Sequence, residues 1–155
     1  MGSSEIQEAL ENCEFFQGLE PDHIKKIASL CQVETYETGE YIFRQGDFGE
    51  HIYVITQGRT FLERSLDLGT RTGSAVIGIL GRGRVFGCWS TLLAEPHNLM
   101  ASASSEKDSK VLAIKGAELR EMMLSHVALG FRVLERLCFL LRDRIQGAYG
   151  AMERV

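Results

Sequence analysis

The strongest constraint on this chain is the way glycine punctuates its middle. Gly39, Gly46, Gly49, Gly58, Gly83 and Gly87 each stand beside a short apolar run, and 16 glycines are set against only 2 prolines. The runs are Val33–Tyr36, Tyr41–Phe43, Ile52–Ile55, Phe61–Leu66, Ser74–Leu80, Leu99–Ser104 and Val111–Ile114. Several of them alternate apolar and polar residues, the signature of half-buried strands. Short strands at intervals of roughly 8–12 residues, closed by turn residues, predict a sandwich or a closed barrel. Glycine supplies the positive φ that tight turns need.

Helical periodicity flanks this body. Ser4 is placed to cap a first helix running through Leu10, with Glu5 and Glu8 near its positive end. Pro21 suits the first turn of a second helix, in which Ile24, Ile27, Ala28 and Cys31 share one face. Cys88–Leu93 reads as one or two helical turns, and Ala117–Leu124 as a short helix. A long helix is expected from about Val127 towards Met152. Leu134, Leu137, Cys138, Leu141, Ile145, Ala148 and Met152 recur on it every three or four residues. Phe131, Val133, Phe139 and Leu140 widen that face beyond what packing on one side requires. The excess marks Leu134, Leu137, Leu141 and Ile145 as a dimer helix; a core helix with a basic rim of Arg132, Arg136, Arg142 and Arg144 is the plainer alternative. The expected organisation is a helical segment over residues 1–32, a β-body over 33–115 and C-terminal helices over 116–155.

Composition narrows the function. With 155 residues, 45% hydrophobic and 25% charged, the chain is long and apolar enough to build a core, which excludes wholesale disorder. Its net charge of −4 argues against a coat for nucleic acid. Cys13, Cys31, Cys88 and Cys138 are dispersed, without a C-x-x-C pair, so four free thiols in a reducing cytoplasm are expected, with no metal. His23, His51, His97 and His126 form no H-x-H or H-E-x-x-H motif, and no G-x-S-x-G elbow occurs, so no enzyme is expected. No apolar run reaches the ~18 residues of a membrane span. The Met1-Gly2-Ser3-Ser4 start matches a myristoylation signal only in part, because Ile6 stands where Ser or Thr is wanted.

The informative segment is Gly83–Ser104. A glycine-rich turn enters a helix at Gly87-Cys88-Trp89, where free amides face whatever lies ahead. FRQGDFGEHIYVITQGRTFLE (Phe43–Glu63) and GRGRVFGCWSTLLAEPHNLMASAS (Gly81–Ser104) resemble the strand signature and phosphate-binding cassette of cyclic-nucleotide-binding domains, of the type found in catabolite-activator regulators. The resemblance covers nearly the whole chain. It implies an eight-stranded jelly-roll barrel with N-terminal helices and a short plus a long C-terminal helix. It also implies a sensor function, a small-molecule ligand such as cyclic AMP or cyclic GMP, and a homodimer through the long helix. No nucleic-acid or membrane contact is expected from this chain alone.

The departures from that family fall on its chemistry. The family's ribose-binding Glu is replaced by Cys88, a poor acceptor. Its phosphate-binding Arg, after Pro96, is replaced by His97, which lacks a permanent charge and a bidentate fork. Met100 stands where Ser or Thr is usual. The expected contacts are therefore Gly87, Cys88, Trp89, Ser90, Thr91, His97 and Asn98, holding a cyclic nucleotide or other small anion weakly. Each has a bland alternative: Ser90 and Thr91 as helix-turn residues, His97 and Asn98 as solvated loop residues, Trp89 as packing. Three roles compete: a weak or atypical ligand sensor signalling through its C-terminal helix, a ligand-free dimerisation or docking module, and a thiol or haem sensor. A regulator whose DNA-binding domain is absent here is a further form of the first.

Overall fold

A computed structural model describes residues 1–95 and 97–153, without the side chains of residues 151 and 152. Pro96 and the Met152 side chain, both used in the reading above, lie outside the described residues. Two helices open the chain, α1 (Ser3–Glu11) and α2 (Pro21–Ala28). Eight strands follow: β1 (Gln32–Tyr36), β2 (Tyr41–Phe43), β3 (His51–Gln57), β4 (Thr60–Asp67), β5 (Thr72–Leu80), β6 (Val85–Gly87), β7 (Ser102–Ser105) and β8 (Ser109–Lys115). A 3-10 turn, Trp89–Leu93, lies between β6 and β7, and α3 (Gly116–Ser125) and α4 (Val127–Glu153) complete the fold.

The strands form two antiparallel four-stranded sheets, ordered β1-β8-β3-β6 and β2-β7-β4-β5. That interleaved order is a jelly roll, but the hydrogen-bonded ladders do not close into one barrel among the described residues. The reason is steric. Tyr53 and Phe86 of one sheet meet Phe43 of the other, with ring centroids 5.8 Å apart in each pair. Side chains interleaved in this way hold sheets about 10 Å apart, twice the spacing of hydrogen-bonded strands.

The first sheet is covered on both faces, which explains why β3 and β8 read as unbroken apolar runs. Tyr53, Ile55, Val111 and Ala113 point into the sandwich. Their neighbours Ile52, Val54, Leu112 and Ile114 face the helices, where Leu10, Phe15, Phe16, Ile24 and Ile27 meet Leu129, Val133, Leu137 and Leu140 of α4.

Local differences from the sequence reading have local causes. Ser4 does not cap α1; Gly2 holds the N-cap position, and its carbonyl accepts the Ile6 N–H at 3.1 Å. The stretch before Ser102 is not strand. Leu99 is drawn into the β2–β3 turn, donating its N–H to Asp47 O at 2.7 Å and accepting from Gly46 N at 2.8 Å. The stripe on α4 also divides. Leu137 is 8% exposed and belongs to the core, whereas Phe131, Leu134, Cys138 and Ile145 are exposed on another face. A helix 27 residues long has room for both rows.

Candidate functional site: the β6–β7 cassette and its pocket

Two glycines bring the cassette against the sandwich. Gly87 has φ +136°, and a Cβ there would lie 2.4 Å from the His51 carbonyl oxygen, so a side chain is excluded both by conformation and by space. Gly49 abuts the Cys88 side chain, which an added Cβ would meet at 2.6 Å. Cys88 N–H then donates to His51 O at 3.0 Å.

Cys88 is consequently only 2% exposed, and its thiol donates to the His97 carbonyl at 3.8 Å. Trp89 meets the Phe15 ring edge-on, with centroids 5.6 Å apart. Ser90 Oγ lies 3.2 Å from His97 Nε2. Thr91 turns away: its hydroxyl donates to Cys88 O at 2.8 Å, and its side chain fills the space that a Cβ on Gly116 would need. Asn98 is exposed and bridges Phe48 instead of facing the pocket.

The pocket in front of the cassette has a volume of about 440 Å³. Gly87, Cys88, Trp89, Ser90 and His97 belong to its lining. Phe43, Leu62, Ile77 and Phe86 come from the sandwich, and Leu99, Met100 and Ala101 from the segment before β7. Arg64 of β4 and two residues of α4, Leu141 and Arg144, complete the lining. Five of the seven cassette residues expected from the sequence are thus brought together; Thr91 and Asn98 are not among them. The residues that sequence reasoning missed lie on β2, β4, β5, β6 and α4 and in the segment before β7. Their alternation and heptad spacing signalled burial but carried no sign of a shared cavity.

The charges around the pocket are already engaged. Arg144 Nη2 donates to Glu14 Oε1 at 2.9 Å and to Val85 O at 2.7 Å, while Nε is buried without a partner. Burial lowers the pKa of the Arg144 guanidinium, and the Glu14 carboxylate opposes that shift. Glu14 also accepts from Arg84 Nε at 2.8 Å and Val85 N at 2.9 Å. Arg64 donates to Met100 O at 2.8 Å. The cassette end is tied to α3 as well, where Arg120 Nη1 donates to Leu92 O at 2.6 Å.

No group of three or more His, Cys, Asp or Glu is placed to hold a metal among the described residues. Burial pushes the Cys13 thiol up to about 11 and the Cys31 thiol up to about 12, which keeps both protonated at neutral pH. No helix is long and apolar enough to cross a membrane among the described residues.

A jelly roll with a side-chain-lined pocket, capped by a short turn and a long C-terminal helix, defines a ligand-binding regulatory domain. The cyclic nucleotide-binding domain family model matches residues 33–126, and the chain belongs to that family. It is 32% identical over 133 residues to the cyclic AMP receptor protein of Thermus thermophilus, covering 86% of this chain and 57% of that protein. The crystal structure of the Thermus thermophilus catabolite activator protein superposes with a TM-score of 0.68 at 31% identity, covering 90% of this chain and 62% of the other. A cyclic nucleotide-binding domain from Methylobacillus flagellatus shares the fold at a TM-score of 0.82 and 20% identity, covering 98% and 83%. This chain spans about three fifths of the Thermus proteins.

Proposed function

We propose that the chain is the sensor domain of a regulator, in which a small anionic ligand in the cassette pocket is read by the long C-terminal helix. One observation carries this reading: Cys88, Ser90 and His97 of the cassette and Leu141 and Arg144 of α4 line the same pocket. A ligand there touches the cassette and the helix together. It shifts the helix only by binding one arrangement better than the other. Thr91, packed on Gly116, and Arg120, bonded to Leu92 O, support a mechanical link through α3.

Cyclic AMP and cyclic GMP bind weakly in this reading. The position of the ribose acceptor holds a buried thiol, and the position of the phosphate-binding guanidinium holds an exposed histidine. Each missing charge-assisted hydrogen bond removes roughly 1.5–3 kcal/mol, and together they weaken binding by about two to four orders of magnitude. The exposed row Phe131, Leu134, Cys138 and Ile145 supports a homodimer through α4.

Calorimetry with cyclic AMP and cyclic GMP tests the affinity. Dissociation constants above about 100 μM are expected, and the double variant Cys88→Glu, His97→Arg is expected to bind at least about 100-fold more tightly. Saturation of the unmodified chain at low micromolar nucleotide refutes the substitution argument. Complete silence with every small anion favours a ligand-free dimerisation module.

A further inference from the structure

We infer that the ligand of this pocket is a small amphipathic carboxylate, a single anionic head on an apolar body. This rests on the reading of the pocket as a ligand site and names the chemical class it takes.

The walls carry the inference. Phe43, Leu62, Ile77, Phe86, Leu99 and Met100 all line the pocket and make it mainly apolar. A ribose ring set among them would leave its hydroxyls facing hydrocarbon and the Cys88 thiol, a weak hydrogen-bonding group. A desolvated hydroxyl without a partner opposes binding, whereas a methylene in the same place favours it. Small-molecule sites are commonly apolar cavities of this size with a few convergent polar groups.

Those polar groups suit one small head. Ser90 Oγ and His97 Nε2 are 3.2 Å apart on the cassette side, and Arg64 supplies a cation at the rim. Arg144, which also lines the pocket, shares the single Glu14 carboxylate with Arg84. Arg64 and the Ser90–His97 pair are thus the groups that meet one anionic head.

The test uses Trp89, the single tryptophan of the chain, which lines the pocket and reports occupancy by fluorescence. Straight-chain carboxylates from butyrate to decanoate are titrated, with octanol as the uncharged control and cyclic AMP as the competitor. Affinity should rise roughly four-fold per added methylene until the cavity is filled. Octanol should bind at least about ten-fold more weakly than octanoate. Arg64→Gln should weaken every carboxylate by a similar factor and leave the chain-length slope unchanged. Ile77→Asp, at a position 59% exposed and so tolerant of charge, should abolish carboxylate binding while the circular dichroism spectrum stays unchanged. A response independent of chain length overturns the inference, as does equal binding of octanol and octanoate. Tight cyclic AMP binding that carboxylates fail to displace overturns it while the ligand-sensor reading stands. Silence with both ligand classes removes the two readings together.

Discussion

Glu14 sits in the connection between α1 and α2, yet it joins three separate parts of the fold. Its carboxylate accepts from Arg84 Nε at 2.8 Å, from Val85 N at 2.9 Å and from Arg144 Nη2 at 2.9 Å. Its backbone carbonyl accepts from Arg136 Nη2 at 2.9 Å. The N-terminal segment, the strand that enters the cassette and the long helix therefore share one residue. Glu14→Gln keeps the shape and one acceptor for Val85 N–H but removes the charge. Arg84 is 44% exposed, so its pair contributes no more than about 0.5 kcal/mol after solvent screening. Arg144 is 25% exposed, and Gln keeps the oxygen to which Val85 N and Arg144 Nη2 both donate, so the largely desolvated guanidinium keeps that hydrogen bond and loses its counter-charge, costing roughly 1–2 kcal/mol. The expected total is about 1–2.5 kcal/mol, or roughly 2–10 °C in Tm for a chain of this size. Urea unfolding followed by far-ultraviolet circular dichroism measures the loss. A double-mutant cycle with Arg144→Met isolates the pair, with an expected coupling of about 1–2 kcal/mol. An unchanged urea midpoint for Glu14→Gln, or a coupling below about 0.3 kcal/mol, would refute the reasoning.

Four further outcomes are expected. Gly87→Ala destabilises the fold by about 2–4 kcal/mol, because φ is +136° and the new Cβ meets His51 O, whereas Gly147→Ala, in open space on α4, stabilises it by about 0.5–1 kcal/mol; urea midpoints that move together in these two variants would contradict this. A thiol reagent such as dithionitrobenzoate labels Cys138, exposed on the single chain, rapidly in the Ile145→Asp monomer and all four thiols in denaturant; fast native labelling of Cys13 or Cys88, both buried, would count against the core packing. Burial raises Cys13 from 9.0 to about 11 and Cys31 from 9.0 to about 12, so the folded chain holds these protons more tightly than the unfolded chain. Their contribution to stability is complete below pH 9 and declines as pH rises through the folded values, by roughly 2 kcal/mol between pH 8 and pH 10; a flat urea midpoint over that interval would show the burial to be wrong. Ile145→Asp, on the exposed row of α4, converts a dimer to a monomer in sedimentation velocity without lowering helix content, and an unmodified chain that sediments as a monomer removes the dimer proposal.

Much of the element order was legible in the residues because local patterns produced it. The alternation of Val33–Tyr36 and Phe61–Leu66 and the short apolar runs Tyr41–Phe43 and Ile52–Ile55 marked strands, and Pro21 marked the start of α2. Gly83 and Gly87 adopt positive φ, as turn residues should. The cassette was visible for the same reason, since Gly87–Ser90 are contiguous and their chemistry is local. Cys88 and His97 could be singled out from their types alone, because a thiol and an imidazole cannot do what a carboxylate and a guanidinium do.

What the sequence could not contain was the partner of each face. Leu137 and Leu134 are both leucines on one helix, and only the position of the sandwich decides that the first is buried and the second exposed. Sheet closure was likewise undecidable, because it depends on how far the inward-facing rings of Phe43, Tyr53 and Phe86 hold two sheets apart. The pocket joins residues from Phe43 to Arg144, and Glu14 reaches Arg144 across 130 positions. Local periodicity fixes which residues can share a strand or a helix. The walls of a cavity and the neighbours of a buried charge come from distant segments, and they exist only once the chain has packed.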